Sequence, residues 1–584
     1  MLYEIVKGTV IFMKRNFSEH IKRWVASLDG AWHFSVDKND IGENNGWFSG
    51  LAEWKTVEVP SVWNEELGLL DYEGVCWYER EFDFAGGVLR LVFDAVMTYA
   101  KVWLDGEYLG DHYGGFTAFD FLVPDVAKGR HRVCVKVDNR FDAHSIPQTR
   151  VDWYHYGGII RSVSAERLDG AAILGCAFDY TLDDDLGSAI CRPRVKLYRA
   201  SGAERDLTLT VKLDGYALFS DTVTALGKVT ELTLPSITLD GPKLWSPGAP
   251  VLYELCIETE TDDLYDRVGF RKVEVTKEGV LINGNLTELR GVNRHDEYPE
   301  FGFAFPPSRI RHDVELAEDL GCNAIRGSHY PNSQKLVDYL DEHGMMFWSE
   351  IPIWGVGFSV EALADPIVVE RGLAMHREMV EQYYNHPSII IWGMHNEIRS
   401  DTEAAYEMSK RYYTFLKANG GNRIVTYASH VPMADICFEF CDIICLNVYL
   451  GWYSGGMEAW DGFITDFCRR RDSLGFSDKP IVFSEFGAAA LYGFHDVECP
   501  RWSEEYQAKL LRHCLTLFRE RPEVVGSFVW QFCDIRTSDD MGYTRARGFN
   551  NKGILNEHRR PKAAYFAVKK CYSQRESNSQ GFEI

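Results

Sequence analysis

Short runs of alternating apolar and polar residues dominate the first half of the chain, and this pattern is typical of half-buried β-strands. Residues 132–137 are one such run, and Asp105-Gly106 separates two others as a tight hairpin turn would. We therefore predict an all-β domain over residues 26–170. A second alternating block over residues 171–275 has the length of an immunoglobulin-like β-sandwich.

After residue 275 the pattern changes to short continuous apolar runs that alternate with helical segments. That order is typical of βα units and of a parallel sheet. The eight strand candidates are residues 288–293, 322–326, 345–350, 388–394, 424–428, 442–447, 480–484 and 524–530. The clearest helical patterns between them are residues 309–320, 333–343 and 503–520. Eight units over residues 276–572 predict a (β/α)8 TIM barrel, so the expected fold class is multidomain β plus α/β.

The two ends of the chain lie outside these predicted domains. Residues 1–25 form an N-terminal extension whose first part matches no later pattern, so Met13 is a candidate for the true start. Residues 573–584 form a polar tail. We expect this tail to be disordered, because it offers few apolar side chains to bury.

Length and composition describe a globular protein with more than one hydrophobic core. The chain has 584 residues, of which 46% are hydrophobic and 25% are charged. Its net charge of −24 argues against nucleic acid or an anionic membrane as a partner. We recognise neither a signal peptide nor the roughly 20 apolar residues that a spanning helix needs, so we expect a cytoplasmic protein.

The 14 cysteines show no spacing that indicates a metal site. Cys437, Cys441 and Cys445 lie closest together, but no CxxC pair or matching histidine cluster accompanies them. We expect reduced and mostly buried thiols, as in a reducing compartment. We expect neither a metal nor another cofactor.

Two acidic residues in the barrel half follow strand-like apolar runs. Glu397 comes after residues 389–396, and Glu485 comes after residues 479–484. Because the catalytic groups of a TIM barrel lie at the C-terminal ends of its strands, both carboxylates are predicted at one mouth. Such a pair can break a glycosidic bond, with one group as proton donor and the other as nucleophile. The amide of Asn396 can hydrogen-bond a sugar 2-hydroxyl.

These motifs resemble glycoside hydrolase family two, and the resemblance covers residues 27–572. The residues that carry it are Asn396-Glu397, 484–487, 291–295, 326–331 and 60–65. It implies a sugar-binding jelly roll, an immunoglobulin-like sandwich and a catalytic barrel, in that order. It also implies that Glu397 is the acid/base and Glu485 the nucleophile of a retaining enzyme.

The loop after the last predicted strand looks like that of the β-glucuronidases of the family, in which an Asn and a Lys hold the C6 carboxylate of the sugar. Here these residues are Asn550 and Lys552. An ammonium and an amide make charge-assisted hydrogen bonds to a uronate, which a neutral sugar does not offer. Such enzymes often carry an arginine four residues before the Asn. That position is Ala546, so the role stays open between Arg545 and Arg547.

The resemblance assigns further residues to the sugar site. They are Tyr449, which would hydrogen-bond the nucleophile, Tyr453, Asp152 from the first domain, Trp530, His295 and His329. Asp152 would bind a ring hydroxyl, and Trp530 would present its indole to the sugar. The family's members are homo-oligomers, so a tetramer or a dimer is expected.

The predicted activity is that of a retaining exo-β-glucuronidase acting on a small-molecule or oligosaccharide uronide. A β-galacturonidase or a dual β-hexuronidase is the alternative, because the two sugars differ only at C4, and a β-galactosidase is less favoured. After the third strand, residues 351–365 form a short connection that implies an open entrance for large aglycones.

Two readings from other classes compete with a glycosidase. A metal-dependent hydrolase would use His295, Asp296, His329 and Glu350 at the ends of the first three strands. In a non-catalytic carbohydrate-binding protein the two β domains would bind the sugar. Such a protein would have no need of two paired acids.

Overall fold

The protein is described from a computed structural model that covers the backbone of residues 5–6, 9–10, 14–355, 358–538 and 545–579. Side chains are described within the same ranges from residue 14 to residue 573. Met13, the predicted start, lies outside the described residues.

The first domain is a two-sheet antiparallel sandwich, as expected for a jelly roll. Together with a short preceding hairpin, its strands are β1 (Ile5–Val6), β2 (Thr9–Val10), β3 (Trp24–Ser27), β4 (Gly30–Asp37), β5 (Lys55–Val59), β6 (Val75–Phe84), β7 (Gly87–Phe93), β8 (Val96–Met97), β9 (Tyr99–Leu104), β10 (Glu107–Tyr113), β11 (Phe119–Val126), β12 (Gly129–Asp138), β13 (Gly158–Ile159) and β14 (Val163–Leu168). One sheet has the order β10-β9-β12-β6-β4-β5 and the other β11-β7-β14-β3. Apolar side chains from alternate positions, such as Leu91, Val102 and Val135, fill the space between them.

The hairpin predicted at Asp105-Gly106 is confirmed. These two residues join β9 to β10, and both have positive φ, 51° and 89°. Positive φ at both central positions is the requirement of a type I′ turn, whose twist matches that of the flanking strands.

The second domain is also a β-sandwich. Its strands are β15 (Ala172–Leu182), β16 (Ser188–Tyr198), β17 (Arg205–Leu213), β18 (Tyr216–Ala225), β19 (Val229–Thr233), β20 (Ile237–Asp240), β21 (Tyr253–Glu258) and β22 (Asp263–Val268). A separate three-stranded sheet then leads into the barrel, formed by β23 (Val273–Thr276), β24 (Gly279–Ile282) and β25 (Asn285–Thr287).

The third domain is a closed parallel barrel, which confirms the TIM-barrel prediction. Its strands are β26 (Leu289–Arg294), β27 (Ala324–Gly327), β28 (Met346–Glu350), β29 (Ile389–Asn396), β30 (Ile424–Ser429), β31 (Ile444–Asn447), β32 (Ile481–Phe486) and β33 (Val524–Val529). Each observed strand overlaps its predicted range. A short pair, β34 (Ile535–Arg536) and β35 (Phe549–Asn550), follows the last barrel strand.

Several helices around the barrel begin or end at residues whose chemistry favours a helix terminus. They are α1 (Pro307–Leu320), α2 (Gln334–His343), α3 (Val360–Ala364), α4 (Pro366–Tyr383), α5 (Glu403–Asn419), α6 (Trp460–Ser473), α7 (Glu504–Glu520) and α8 (Ala563–Ser579). The Asp365 side chain caps α4 by accepting from the backbone of Ile367, and Ser503 caps α7 by accepting from Tyr506. Gly344 ends α2 at a φ of 67°, which glycine adopts at little cost.

The predicted disorder of the polar tail is wrong for its first part. Helix α8 continues to Ser579, and residues 580–584 lie outside the described residues. The sequence after Ser573 includes Gln574, Arg575 and Glu576, whose high helix propensity extends the preceding turn.

Residues 14–23, here called the N-terminal clasp, connect all three domains. Arg15 donates three hydrogen bonds to Asp338 of α2, the shortest at 2.7 Å, and also pairs with Asp266 of the second domain at 3.1 Å. Arg23 pairs with Asp262 of the second domain and Glu166 of the first. Both guanidinium groups are buried, so the clasp is part of the domain interfaces rather than a surface appendage.

Two general expectations can be compared with the described residues. Within them, every helix is too short or too polar to cross a bilayer. The fourteen cysteines are free thiols, and all but Cys176 and Cys499 are buried.

Candidate active site

Glu397 and Glu485 line one cavity of about 460 Å³ at the C-terminal end of the barrel strands. Glu397 directly follows β29, and Glu485 lies within the last residues of β32. The backbone of Glu397 has a φ of 54°, which is uncommon for a residue with a side chain, and its N–H donates to the carbonyl of Ala428 at 2.9 Å. This conformation turns the chain at the strand end while the residue stays fixed to the neighbouring strand.

The Glu485 carboxylate accepts hydrogen bonds at both oxygens. Arg326 Nη1 donates to Oε1 at 2.8 Å, and the Tyr449 hydroxyl donates to Oε2 at 2.7 Å. Both bonds are stronger when the carboxyl is ionised, so they favour negative charge on Glu485. The side chain is 3% exposed, which means that these donors replace water as its solvation.

Glu397 has a different set of neighbours. Asn447 Nδ2 donates to Glu397 Oε1 at 2.8 Å and to Asn396 Oδ1 at 3.1 Å. Ser484 holds the same amide by donating to Asn447 Oδ1 at 2.7 Å. In the described residues no cation pairs with Glu397, whereas Arg326 pairs with Glu485.

The negative charge of Glu397 affects the protonation of Glu485. Burial raises the pKa of Glu485, and the negative charge of Glu397 raises it further, while Arg326 and Tyr449 oppose both effects. A second carboxylate that lines the same cavity disfavours the state in which both groups are ionised. Since both strong donors are on Glu485, the arrangement can supply one ionised carboxylate and one proton donor.

Arg326 is the central connector beneath the cavity. Its guanidinium contacts Glu485, donates to Glu350 at 2.9 Å and donates to Asn396 Oδ1 at 2.7 Å. The side chain is completely buried. Glu350 in turn contacts His329 Nδ1 at 2.7 Å. One rigid group therefore positions the predicted nucleophile, the Asn396 amide and His329.

Three buried polar atoms near the carboxylates have no hydrogen-bond partner among the described residues: Asn396 Nδ2, His295 Nε2 and His329 Nε2. Burial lowers the pKa of both histidines well below the usual value, so both rings are neutral. Trp530 stacks on His329 with ring centroids 5.1 Å apart and lines the same cavity. Neutral imidazole nitrogens and an amide N–H are suitable partners for sugar hydroxyls.

Lys552 places an ammonium group in the cavity wall. The residue is 2% exposed, and its Nζ donates to the Tyr453 hydroxyl at 2.7 Å. Within the described part of the chain no carboxylate forms an ion pair with this ammonium. A buried ammonium without a counter-charge is costly, so the site favours an anion from outside the protein.

Asp152, from the first domain, reaches the same cavity. Arg545 donates to both of its carboxylate oxygens, at 2.6 and 2.5 Å, and Asn550 Nδ2 donates to Oδ2 at 2.8 Å. Arg545 also lines the cavity. Arg547 instead pairs with Glu557 at 2.9 Å and has a half-exposed side chain. The choice left open by the sequence is thereby resolved in favour of Arg545.

The competing metal site is not supported by the contacts of its acids. Glu350 is paired with Arg326, and Asp296 is paired with Arg294 at 3.2 Å. Each carboxylate already has an arginine partner, which opposes the approach of a cation.

Several residues that shape the cavity are not among the site residues predicted from the sequence. They are Arg326, Asn447, Trp354 and His430. Arg326 and Asn447 interrupt otherwise apolar strands close to the C-terminal end, and that signal was available in the sequence. Trp354 and His430 lie in loops, where no periodic pattern identifies them.

Three regions of the chain match descriptions of one enzyme family. Residues 273–576 match "Glycosyl hydrolases family 2, TIM barrel domain", residues 25–168 match its sugar binding domain, and residues 171–271 match "Glycosyl hydrolases family 2". The chain belongs to this family. It is therefore a glycoside hydrolase, which confirms the family and the enzyme class predicted from the sequence.

Relatives of this family 2 enzyme include proteins named β-glucuronidase. The mouse β-glucuronidase is 28% identical over 622 residues, covering 97% of this chain and 93% of the mouse protein. The β-glucuronidase of Paenibacillus borealis is also 28% identical and covers 95% of this chain and 97% of its own length.

Solved structures agree with this fold along almost the whole chain. A family 2 β-galacturonidase from Eisenbergiella tayi bound to galacturonate has a TM-score of 0.90 and 32% identity, covering 96% of this chain and 99% of that chain. A β-glucuronidase from Ruminococcus gnavus in complex with D-glucuronic acid has a TM-score of 0.85 and 27% identity, with the same two coverages.

Proposed function

We propose that this family 2 enzyme is an exo-acting, retaining β-hexuronidase that removes a terminal β-D-glucuronic acid residue from glycosides. The observation that carries the proposal is the buried Lys552 ammonium, which has no acidic partner among the described residues. A uronate carboxylate at C6 supplies the missing charge, and a neutral sugar does not. Arg545 and Asn550, which hold Asp152, border the same end of the cavity.

The reaction proceeds in two displacements at C1 of the sugar. Glu485 attacks C1 while Glu397 gives its proton to the glycosidic oxygen, so the C1–O bond breaks and the aglycone leaves as an alcohol. Glu397, now ionised, then takes a proton from water, and the resulting hydroxide equivalent displaces Glu485 from C1. The two inversions leave the sugar with its original β configuration. Water is the only second substrate.

The contacts around Glu397 and Glu485 support these separate roles. Arg326 and Tyr449 stabilise the ionised form of Glu485, as a nucleophile requires. Asn447 orients Glu397 without adding positive charge that would hold it ionised. The free Asn396 amide and the two neutral histidines bind ring hydroxyls in this proposal.

A β-galacturonidase is the second candidate, and one observation favours it. The structure of the Eisenbergiella tayi β-galacturonidase shares 32% identity and a TM-score of 0.90 with this chain. Glucuronic and galacturonic acid differ only in the orientation of the C4 hydroxyl, which the carboxylate-binding residues do not distinguish. An enzyme that accepts both sugars is consistent with the same contacts.

A panel of p-nitrophenyl β-glucuronide, β-galacturonide, β-galactoside and β-glucoside tests the proposal. We expect kcat/KM for one or both uronides to exceed that for the neutral sugars by at least about a hundredfold, as a buried charge-assisted contact implies. Faster cleavage of the galactoside would refute the uronide assignment. The β anomer should form first by NMR, and activity should survive a strong chelator.

The connection after β28 bears on the size of the aglycone. β28 ends at Glu350 and α3 begins at Val360, so the connection is residues 351–359. Residues 356–357 lie outside the described part of the chain. A short loop leaves the entrance open, so we propose that large or oligosaccharide uronides are good substrates. Much faster turnover of small aryl uronides than of a uronate-terminated oligosaccharide would contradict this.

The cytoplasmic location and the homo-oligomeric state stay predictions. Cell fractionation tests the first, and light scattering coupled to size-exclusion chromatography tests the second, with a dimer or a tetramer expected.

A further inference from the structure

His430 lies at the acid/base side of the cavity and has no role in the function proposed above. It directly follows β30, the strand that neighbours β29 in the barrel. The backbone N–H of Glu397 donates a hydrogen bond to the carbonyl of Ala428, two residues before His430. The His430 side chain lines the cavity together with Glu397, Pro432 and Phe463.

The fold makes no visible use of the hydrogen-bonding capacity of this ring. His430 is half-buried, and its Nδ1 is buried without a partner among the described residues. His329, by contrast, has its Nδ1 fixed by Glu350, and His295 has its Nδ1 next to the Tyr330 hydroxyl. A half-buried imidazole that stabilises nothing nearby is better explained by a function at the cavity than by a structural role.

The charged groups that act on His430 are Glu397, Asp401 and Arg399. Burial is the main influence and lowers the pKa of the ring, Glu397 and Asp401 raise it, and Arg399 lowers it. The ring is therefore neutral at neutral pH and keeps one N–H donor and one acceptor nitrogen. Asp401 has its own partner, because Arg399 donates to both of its oxygens.

We propose that His430 is a positioning residue for the proton transfer from Glu397 to the leaving group. In the proposed function Glu397 protonates the glycosidic oxygen, so the aglycone leaves next to Glu397, and His430 lines the same cavity. There the neutral imidazole hydrogen-bonds the carboxyl of Glu397 as it turns toward the glycosidic oxygen. It keeps the donated proton aligned with that oxygen and adds no charge that would hold Glu397 ionised.

This role has a signature that a structural role lacks. A p-nitrophenolate leaves with little help from an acid, whereas the alkoxide of a methyl glycoside cannot leave unless it is protonated. Loss of alignment should therefore slow the cleavage of a methyl uronide far more than that of a p-nitrophenyl uronide. A variant that is merely less well folded would lose activity on both substrates in the same proportion.

The test compares methyl and p-nitrophenyl β-glucuronide with wild type, His430→Phe, His430→Asn and Glu397→Gln. We expect His430→Phe to lose about tenfold to a hundredfold in kcat/KM on the methyl glycoside and less than about threefold on the aryl glycoside. His430→Asn keeps a hydrogen-bonding group and should retain most of the activity on both. His312→Asn, an exposed histidine on α1, is the matched control and should be unchanged.

Equal losses on both substrates, or no loss on either, would overturn the role of His430. Thermal unfolding and circular dichroism show whether His430→Phe folds. If it does not, His430→Asn and His430→Ala are compared instead.

The proposal depends on Glu397 being the acid, so Glu397→Gln distinguishes a wrong role for His430 from a wrong role for Glu397. If Glu397→Gln lacks the selective loss, the proposed acid is wrong; if only His430→Phe lacks it, the inference on His430 alone fails. If wild type cleaves neither uronide, the proposed substrate is wrong, and the same pair of leaving groups is then tested on whichever sugar it does cleave.

Discussion

The Lys552 ammonium lies 2.7 Å from the Tyr453 hydroxyl and 5.8 Å from the centre of the Tyr449 ring. Tyr449 in turn donates its own hydroxyl to Glu485. A single line of contacts therefore joins the group that would bind the substrate carboxylate to the carboxylate that would attack C1. In the proposed function, adjoining side chains would position the C6 end of the sugar and its reacting carbon, which directs binding energy to the reacting atom.

Replacing Lys552 by methionine should strongly reduce the preference for uronides. The change keeps the length of the side chain and deletes its charge, so one charge-assisted hydrogen bond is lost. We expect kcat/KM for the preferred uronide to fall about tenfold to a hundredfold, corresponding to about 1.5 to 3 kcal/mol. Activity on the matching neutral glycoside should fall by less than about threefold.

Lys509→Met is the control for this charge deletion, because Lys509 is an exposed lysine on α7. It should leave both activities unchanged. A uronide activity that persists in Lys552→Met would remove the main support for the proposed substrate.

Substituting Glu397 and Glu485, the proposed acid/base and nucleophile, should give two different phenotypes. Glu485→Gln lacks the nucleophile and should lose at least about ten-thousandfold in kcat on every substrate, since no covalent intermediate forms. Glu397→Gln should keep measurable activity on p-nitrophenyl uronides, and added azide should raise its turnover by replacing the water that needs a base. The azide product should have the β configuration in NMR spectra, and an α product would indicate that the assignments are reversed.

The acid limb of the pH profile should depend on Glu397. Burial and the charge of Glu397 raise the pKa of Glu485, so kcat/KM should fall as the pH decreases and Glu485 becomes protonated. Glu397→Gln removes one of the two causes that raise this pKa, so the acid limb should move to lower pH. The profile is measured with p-nitrophenyl uronide. A limb that stays in place would show that the two carboxyl groups do not interact.

Two neighbouring arginines offer a matched comparison within one loop. Arg545 pairs with Asp152 in the cavity, and Arg547 pairs with Glu557 outside it. Arg545→Gln should lower kcat/KM for uronides about tenfold or more, because Asp152 is left without its main partner. Arg547→Gln should stay within about twofold of wild type. Equal effects of the two changes would place the cavity boundary elsewhere.

The domain order, the barrel and the position of both glutamates could be predicted from the sequence because each depends on local periodicity. Alternating residues give sandwich strands, continuous apolar runs give barrel strands, and the ends of those runs give the mouth. Glu397 and Glu485 follow such runs directly. The sequence also indicates Lys552 as a candidate for binding the sugar carboxylate, because its motif lies directly after the last barrel strand and resembles that of the β-glucuronidases.

Other features depend on contacts between residues far apart in the chain and have no local signal. Arg545 and Asp152 are nearly four hundred residues apart, with a separation of 393, yet form one ion pair. Residues 14–23 have no periodic pattern that would indicate the clasp, although Arg15 and Arg23 are buried. The part of α8 beyond Ser573 has few apolar residues, so hydrophobicity predicts disorder there while helix propensity favours the helix.

Breaking the clasp at Arg15 should destabilise the protein without changing the cavity. Arg15→Met leaves the buried Asp338 carboxylate without its partner, which costs about 3 to 5 kcal/mol. Asp338 has a lowered pKa in the folded state, so the pair stabilises at neutral pH, and this stabilisation is lost as the pH falls below about 4. The measurement is the midpoint of urea-induced unfolding at pH 7.

Arg311→Met serves as the comparison, because Arg311 forms an exposed pair with Glu315 on α1. Its effect should be within about 0.5 kcal/mol. Arg15→Met together with Asp338→Leu should recover part of the loss. A single Arg15→Met variant as stable as wild type would show that the clasp does not secure the domains.

Asp152 comes from the first sandwich, while Arg545 and Asn550, which hold it, come from the barrel. Residues of two domains thus meet at the cavity, so the sandwich and the barrel have to be inherited together. If recombination exchanged the sandwich for that of a distant relative, the contacts of residue 152 would be kept only if its two barrel partners were exchanged with it. A substitution at any one of the three positions changes which residues the other two can accept. We therefore expect these positions to covary among the descendants of this enzyme.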